Sequence, residues 1–239
     1  MDRLGMDDNQ LVVDSVEAFM KRASELDMPF MVKGSIITRQ YFPNPEMRKL
    51  ADLDYVYLNY IDNDEHSGTI FSDWVTKVTE SEINDNTKFR SFKENDFWRR
   101  IDYAMHDDFP TVDTDLKCWV NGQVNDRLSL DISYNLEIDF PPVTIKYKPR
   151  IGEPFLLKST CPFPIQVAWK LHQLITRPRV KDVFDLIHLL NHLDFNENVL
   201  SQTLLVLMKE CSRDDINLNR LLWYVNGEMA EYHLSLIHI

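Results

Sequence analysis

The chain has 239 residues, of which 44% are hydrophobic and 27% are charged. This composition is typical of a globular protein with a buried core, and the absence of any apolar run near the roughly 20 residues of a membrane helix excludes an integral membrane protein. The formal net charge of −12 excludes a general nucleic-acid coat protein, but it is compatible with bound divalent cations or a local basic face.

Both the termini and the cysteines carry information about cellular context. The N-terminal residues lack the basic and apolar layout of a signal peptide, and the three cysteines have no metal-binding spacing. We therefore expect reduced thiols and a cytoplasmic protein.

The last residues, about 233–239, resemble translated sequencing-adapter sequence. We expect them to be an artefact that replaces the natural C-terminus.

Helices and strands alternate in the first part of the chain. The pattern predicts helices at 12–26, 36–41 and 69–78, strands at 29–32, 53–58, 116–120, 127–134, 143–147 and 155–157, and a polar turn at 62–68. Asn121 and Gly122 favour a hairpin whose loop is longer than two residues. Trp98, Arg99 and Arg100 are expected on an amphipathic helix.

The periodicity changes near residue 160. From about residue 165 to 225 the chain has helical spacing and no convincing strand, and Pro178 separates two helices, the second of which begins near Lys181. We therefore predict an α+β protein with a mixed-sheet domain at residues 1–160 and a helical domain at 161–239.

Asp52 and Asp54 form the most informative short pattern. Residues i and i+2 of a strand point to the same face, so the two carboxylates lie side by side and repel unless a cation compensates. Mg²⁺ is typically held by one or two carboxylates together with substrate phosphates. Gly34 lets the backbone approach a phosphate, and Ser35 adds a hydroxyl and an N–H group. The alternative that stays open is that Asp52 caps a turn and Asp54 lies on a solvated strand face.

A third carboxylate and a basic helix extend this hypothesis. Asp131 lies on the polar face of an alternating strand, so it completes the carboxylate cluster if that strand pairs near Asp54. Glu137 and Asp139 are lower-ranked alternatives. Lys170 lies on a basic helix face, for which a purely solvated surface is the competing interpretation.

Three segments resemble, in chain order, motifs of the AbiEii/AbiGii-type nucleotidyltransferases. The first is residues 30–54, which contain Lys33, Gly34, Ser35, Arg48, Asp52 and Asp54. The second is residues 170–177 with Lys170 and Arg177, and the third is residues 181–186 with Asp182 and Asp185. The resemblance spans about residues 12–192. It implies the polymerase-β-like nucleotidyltransferase fold with a mixed sheet, followed by a helical domain. Members of the family are toxins of bacterial toxin–antitoxin or abortive-infection systems.

The same resemblance implies a role for individual residues. Ser35 would hold the phosphates, Asp52 and Asp54 would hold Mg²⁺, Lys170 would neutralise the triphosphate, and Asp182 would be an essential acid of the site. The implied activity is metal-dependent transfer of a nucleoside monophosphate (NMP) from a nucleoside triphosphate (NTP) to an RNA hydroxyl. A tRNA 3′ end is the implied acceptor, and an antitoxin is an implied partner.

Two other functions stay open at this point. An aminoglycoside-type nucleotidyltransferase would suit the acidic total charge, because its substrates are cations. A non-catalytic nucleotide-binding relative would not need the intact acidic pair. Six basic residues are candidates for holding an RNA acceptor: Lys146, Lys148, Arg150, Arg177, Arg179 and Lys181.

Overall fold

The computed structural model describes residues 8–101 and 109–226. Its helices are α1 (Asp8–Glu25), α2 (Ser35–Thr38), α3 (Asp64–Glu80), α4 (Phe163–Thr176), α5 (Val180–Leu190), α6 (Glu197–Arg213) and α7 (Arg220–Val225). Its strands are β1 (Phe30–Lys33), β2 (Asp52–Tyr57), β3 (Thr87–Phe89), β4 (Arg99–Ile101), β5 (Thr111–Val120), β6 (Gln123–Ser133), β7 (Val143–Tyr147) and β8 (Phe155–Thr160). Within these ranges no helix is long and apolar enough to cross a membrane.

The strands form one mixed sheet in the order β3-β5-β6-β2-β1-β8-β7, with β4 also paired to β5. Strand β2 is antiparallel to β1 and parallel to β6, and β1 is parallel to β8. Parallel strands cannot be joined by a tight turn and need a long connection. A long stretch of chain accordingly separates β2 from its neighbour β6. The predicted mixed sheet is therefore confirmed, and its centre is built from strands distant in sequence.

The two faces of β2 pack against different helices. Leu53 and Tyr55 lie in a core shared with α1 and α3, whereas Val56 lies in a second core shared with α4 and α6. Because successive side chains alternate between faces, Asp52 and Asp54 lie on the α4/α6 side of the sheet. The period of the strand thus directs both carboxylates towards the helical part of the chain.

Three predicted local structures are wrong. The expected polar turn at 62–68 contains the start of α3, because the Asn63 side chain accepts a hydrogen bond from the Glu65 backbone N–H and caps the helix. The hairpin loop holds only two residues, Asn121 and Gly122, whose φ angles of 50° and 81° suit the tight turn that joins twisted strands.

The third correction concerns Arg99, which lies in β4 and not on an amphipathic helix. Its guanidinium forms ion pairs with Asp113 and Asp115 of β5. These cross-strand charge pairs favour the extended conformation over a helix. After Thr160 the described residues contain helices and no strand, while the division into two domains stays a prediction. Residues 233–239 lie outside the described ranges.

Glu17 of α1 is a buried carboxylate that titrates near neutrality. It accepts hydrogen bonds from the Tyr147 hydroxyl at 3.0 Å and from the Arg150 backbone N–H at 2.9 Å. Burial is the main cause that raises the pKa of Glu17 from 4.5 to about 7. The folded protein therefore binds one more proton than the unfolded chain between these two values. The stabilising contribution is complete below the lower value and is lost as the pH rises through about 7.

We expect the variant Glu17→Gln to lose less unfolding free energy than the wild type between about pH 5 and pH 8, because the amide does not titrate. Urea denaturation across this range measures the difference. Glu25→Gln, an exposed glutamate on the same helix, is the matched control and should follow the wild-type profile. Equal slopes for wild type and Glu17→Gln would show that Glu17 does not titrate in this window.

Candidate active site

A cavity of about 470 Å³ lies on the α4/α6 side of the sheet and is lined by residues of β1, β2, β6, α4 and α6. Its volume falls within the range of small-molecule sites. Six of the predicted site residues line it: Gly34, Ser35, Asp52, Asp54, Asp131 and Lys170. The seventh, Asp182, does not line the cavity and lies buried behind its wall.

The three aspartates of the cavity form one electrostatic cluster. Parallel pairing of β2 with β6 places Asp131 opposite Asp54, as the sequence hypothesis required. The charge of Asp54 is the main cause that raises the pKa of Asp52. Burial, followed by the charges of Asp54 and Asp52, raises the pKa of Asp131 to about 7. The cluster therefore carries negative charge that the folded protein compensates poorly.

This charge distribution fits a divalent cation. Among the described residues, Lys33 forms an ion pair with this cluster, and its Nζ lies 3.6 Å from Asp54 Oδ1. The described residues contain no group of three His, Cys, Asp or Glu side chains arranged to hold a metal ion by themselves. Two carboxylates completed by substrate phosphates are a usual environment for Mg²⁺, which Asp52 and Asp54 can supply. Asp131 as a metal ligand stays a prediction.

The lower-ranked carboxylates are placed differently. Glu137 also lines the cavity, whereas Asp139 does not and forms an ion pair with Lys209 of α6. Neither is among the leading charges that shift the pKa of Asp131, whereas Asp54 and Asp52 are. Asp131 is therefore the carboxylate most closely coupled to the predicted pair.

The turn between β1 and α2 brings the backbone close to the carboxylates. Gly34 has φ 77° and ψ −158°, a conformation that is essentially restricted to glycine. A Cβ atom at this position would lie 2.0 Å from Asp54 Oδ2. The hydroxyl of Ser35 is buried beside it and has no hydrogen-bond partner among the described residues. Buried hydroxyls are normally satisfied, so this one fits a ligand oxygen such as that of a phosphate.

We expect Gly34→Ala to impair both stability and transfer. An alanine held at these φ and ψ values destabilises the folded state by about 1–3 kcal/mol. The new Cβ must also displace the Asp54 carboxylate. Thermal unfolding and kcat/KM for NTP measure the two effects. Gly122→Ala is the matched control, since its φ is 81° but no atom lies within 4 Å of the added Cβ. Normal transfer by a stable Gly34→Ala protein would contradict this role of the turn.

Lys170 of α4 is held between two carboxylates of α5. Its Nζ lies 3.1 Å from Asp182 Oδ1 and 3.0 Å from Asp185 Oδ2, and both aspartates are completely buried. Burial opposes ionisation of Asp182, but the charges of Lys170 and Arg179 outweigh it and hold the pKa of Asp182 below its usual value. Asp182 therefore positions Lys170 at the cavity wall.

A long-range ion pair completes this network. Arg48, in the segment before β2, donates to Asp185 at 2.7 Å, which joins two motifs separated by 137 positions. Sequence analysis named Asp185 and Arg48 only as members of two separate motifs, and nothing in the motifs indicated that the two side chains form an ion pair. The pair fixes α5 against the segment that carries the acidic strand β2.

The predicted RNA-binding residues divide into two groups. Arg177, Arg179 and Lys181 line the cavity, whereas Lys146, Lys148 and Arg150 do not. Burial, with the neighbouring cations, lowers the pKa of Lys181, which indicates a concentration of positive charge at this wall. An acceptor bound at the cavity would meet the first group.

Comparisons with known proteins agree with this geometry. A family model described as "Nucleotidyl transferase AbiEii toxin, Type IV TA system" matches residues 51–231. The fold is similar to that of MenT4, a nucleotidyltransferase toxin from Mycobacterium tuberculosis H37Rv, with a TM-score of 0.53 and 13% identity. This similarity covers 90% of the present chain and 71% of MenT4, and at such identity it shows the fold alone. No curated protein sequence matches the chain.

Proposed function

The chain belongs to the AbiEii family of nucleotidyltransferase toxins from type IV toxin–antitoxin systems, and we propose that it transfers NMP from an NTP to the 3′ hydroxyl of tRNA. One observation carries the proposal. A single cavity collects the paired carboxylates, the glycine turn with the unpartnered Ser35 hydroxyl, and Lys170. These are the groups that phosphoryl transfer requires, since catalysis there consists mainly of positioning and charge neutralisation.

In the proposed reaction the 3′ hydroxyl oxygen bonds to the α-phosphorus of the NTP, the bond between the α- and β-phosphates breaks, and pyrophosphate leaves while the hydroxyl proton passes to water. Each group has a defined task in this step. Gly34 leaves room for a phosphate beside the carboxylates, and the Ser35 hydroxyl donates to a phosphate oxygen. Lys170 neutralises charge on the triphosphate. Asp52 and Asp54 would hold Mg²⁺, which would neutralise phosphate charge and favour ionisation of the attacking hydroxyl.

The choice of RNA as acceptor rests on the cations beside the carboxylates. Arg177, Arg179 and Lys181 stand at the cavity, where a polynucleotide end would place its last phosphates. These three cations offer a cationic aminoglycoside no favourable charge contact. The total charge of −12 is a property of the whole surface and does not describe this wall. We place the reaction in the cytoplasm, because NTPs and tRNA are found there.

The direct test identifies the acceptor. The purified protein is incubated with each labelled NTP, Mg²⁺ and total RNA, and in parallel with a panel of aminoglycosides. We expect label in tRNA-sized RNA, and its loss when the terminal 2′,3′-diol of the tRNA is cleaved beforehand to a dialdehyde with periodate. Label in an aminoglycoside and none in RNA would favour the small-molecule alternative. NTP binding without any transfer would favour the non-catalytic one.

We also expect expression of the chain to slow bacterial growth, with Asp52→Asn relieving the effect at equal protein levels. Modified tRNA 3′ ends cannot be charged, so protein synthesis should decline before membrane integrity or DNA synthesis. Pulse labelling with amino acids, uridine and thymidine measures the order of these events. Growth arrest that persists in Asp52→Asn would show that the toxicity does not depend on transfer.

A further inference from the structure

Part of the cavity wall is not used by phosphoryl transfer. Leu136, Trp169 and Ile216 line it with apolar groups, and Glu210 and Arg213 of α6 line it with polar ones. These five residues are called the α4–α6 wall below. Apolar surface combined with a few polar groups is typical of sites that bind a flat heterocycle by stacking and by contacts along its edge.

The indole of Trp169 is held in a fixed orientation. Its Nε1–H donates to Glu210 Oε1 at 3.2 Å, and Glu210 is itself 7% exposed and bound by Arg213. The ring also packs against the core formed with α6. A partner on the indole nitrogen and a packed edge restrict ring rotation. Trp169 is therefore a preorganised aromatic surface at the cavity, and little entropy is lost when a ligand stacks on it.

The position of Trp169 in the chain relates it to the predicted triphosphate site. It directly precedes Lys170 on α4, and both residues line the same cavity. A nucleotide whose phosphates lie at Lys170 must place its base elsewhere in that cavity. Asp52, Asp54 and Asp131, which also line the cavity, are charged and unsuited to an aromatic ring. The α4–α6 wall provides the surface that a base requires.

We propose that the α4–α6 wall is a nucleobase subsite in which Trp169 stacks on the base of a bound nucleotide. This inference rests on the proposed function and extends it, because it assigns a binding site to the base, which the phosphate-binding residues do not contact. Stacking on an aromatic side chain tolerates every base, since each has a π face. The base belongs either to the incoming NTP or to the terminal nucleotide of the acceptor RNA, and the two sources can be separated experimentally.

The experiment compares ligands with and without a base. Calorimetric dissociation constants are measured with Mg²⁺ for the four NTPs and for inorganic tripolyphosphate, and KM is measured for the acceptor RNA. The proteins are wild type, Trp169→Ala, Trp169→Phe and Trp119→Ala. Trp119 of β5 is also partly buried but does not line the cavity, so its variant is the matched control. Thermal unfolding is recorded for each protein.

We expect Trp169→Ala to weaken NTP binding at least about tenfold, as stacking contributions predict, and to change tripolyphosphate binding by less than about twofold. Trp169→Phe should retain most of the NTP affinity, and Trp119→Ala should match the wild type. If the base comes from the acceptor, NTP binding stays constant and the KM for RNA rises at least about tenfold in Trp169→Ala.

Two results would overturn the inference alone. One is unchanged NTP affinity together with unchanged RNA KM in Trp169→Ala. The other is an equal loss of NTP and tripolyphosphate affinity, which would mean that Trp169 only supports the fold of the phosphate site. Wild-type protein that binds no NTP would instead overturn the proposed function, and the nucleobase subsite with it. The two failures are therefore distinguishable.

Discussion

Asp54→Asn is expected to reduce nucleotide transfer at least about a thousandfold while the fold is preserved, since even one preorganised electrostatic group contributes about 10²–10³ in rate. The loss follows from the proposed role of Asp54 as one of two carboxylates that hold Mg²⁺. Stability should be unchanged or higher, because the charge of Asp54 raises the pKa of both neighbouring aspartates. The partly exposed ion pair with Lys33 adds little stability that could be lost.

The measurements are single-turnover transfer at saturating Mg²⁺ and thermal unfolding without metal. Asp52→Asn should behave in the same way. Asp73→Asn is the matched control, because this exposed aspartate pairs with Lys77 on α3 and lies outside the cavity. Near wild-type turnover by Asp52→Asn or Asp54→Asn would refute the metal assignment. Isothermal titration with Mn²⁺ supplies a readout that does not depend on activity, and both variants should bind it more weakly than wild type.

The second large effect is expected for Lys170→Ala. Under the proposed function Lys170 neutralises charge on the triphosphate, so its removal should lower kcat/KM about a hundredfold to a thousandfold. The sequence predicts that this loss of kcat/KM exceeds the effect on stability. The structure adds a cost, because Asp182 and Asp185 are completely buried and both lose an ion-pair partner. Arg179 and Arg48 remain, so we expect a loss of about 2 kcal/mol, less than for a fully broken buried pair.

Two further variants separate the two effects of Lys170. Lys170→Arg should retain most of the unfolding free energy, because its guanidinium keeps a positive charge beside Asp182 and Asp185, but it should still lower kcat/KM, because an arginine does not reproduce the geometry of a lysine ammonium. Lys77→Ala, which removes a lysine from an exposed ion pair, should change neither quantity measurably. An unchanged kcat/KM in Lys170→Ala would show that this lysine does not contact the NTP.

Local patterns in the sequence were sufficient for most elements and for the centre of the candidate site. Alternation along β2 puts Asp52 and Asp54 on one face whatever else the chain does, because the period of a strand is a property of its backbone. The order of the motifs indicated the family, and the family match confirms it. Errors occurred where a capping side chain or cross-strand charges decided between helix, turn and strand, as at Asn63 and Arg99.

The tertiary structure alone decided which distant groups meet. Asp131 reaches Asp54 through the register of a parallel strand pair, which no local periodicity specifies. Asp182 looks like any acidic residue in the first turn of a helix, and only packing of α5 on α4 turns its carboxylate onto Lys170. Arg48 and Asp185, and likewise Trp169 and Glu210, meet across long stretches of chain. A sequence states periodicity within a segment, whereas contacts between segments arise from the packing of all of them together.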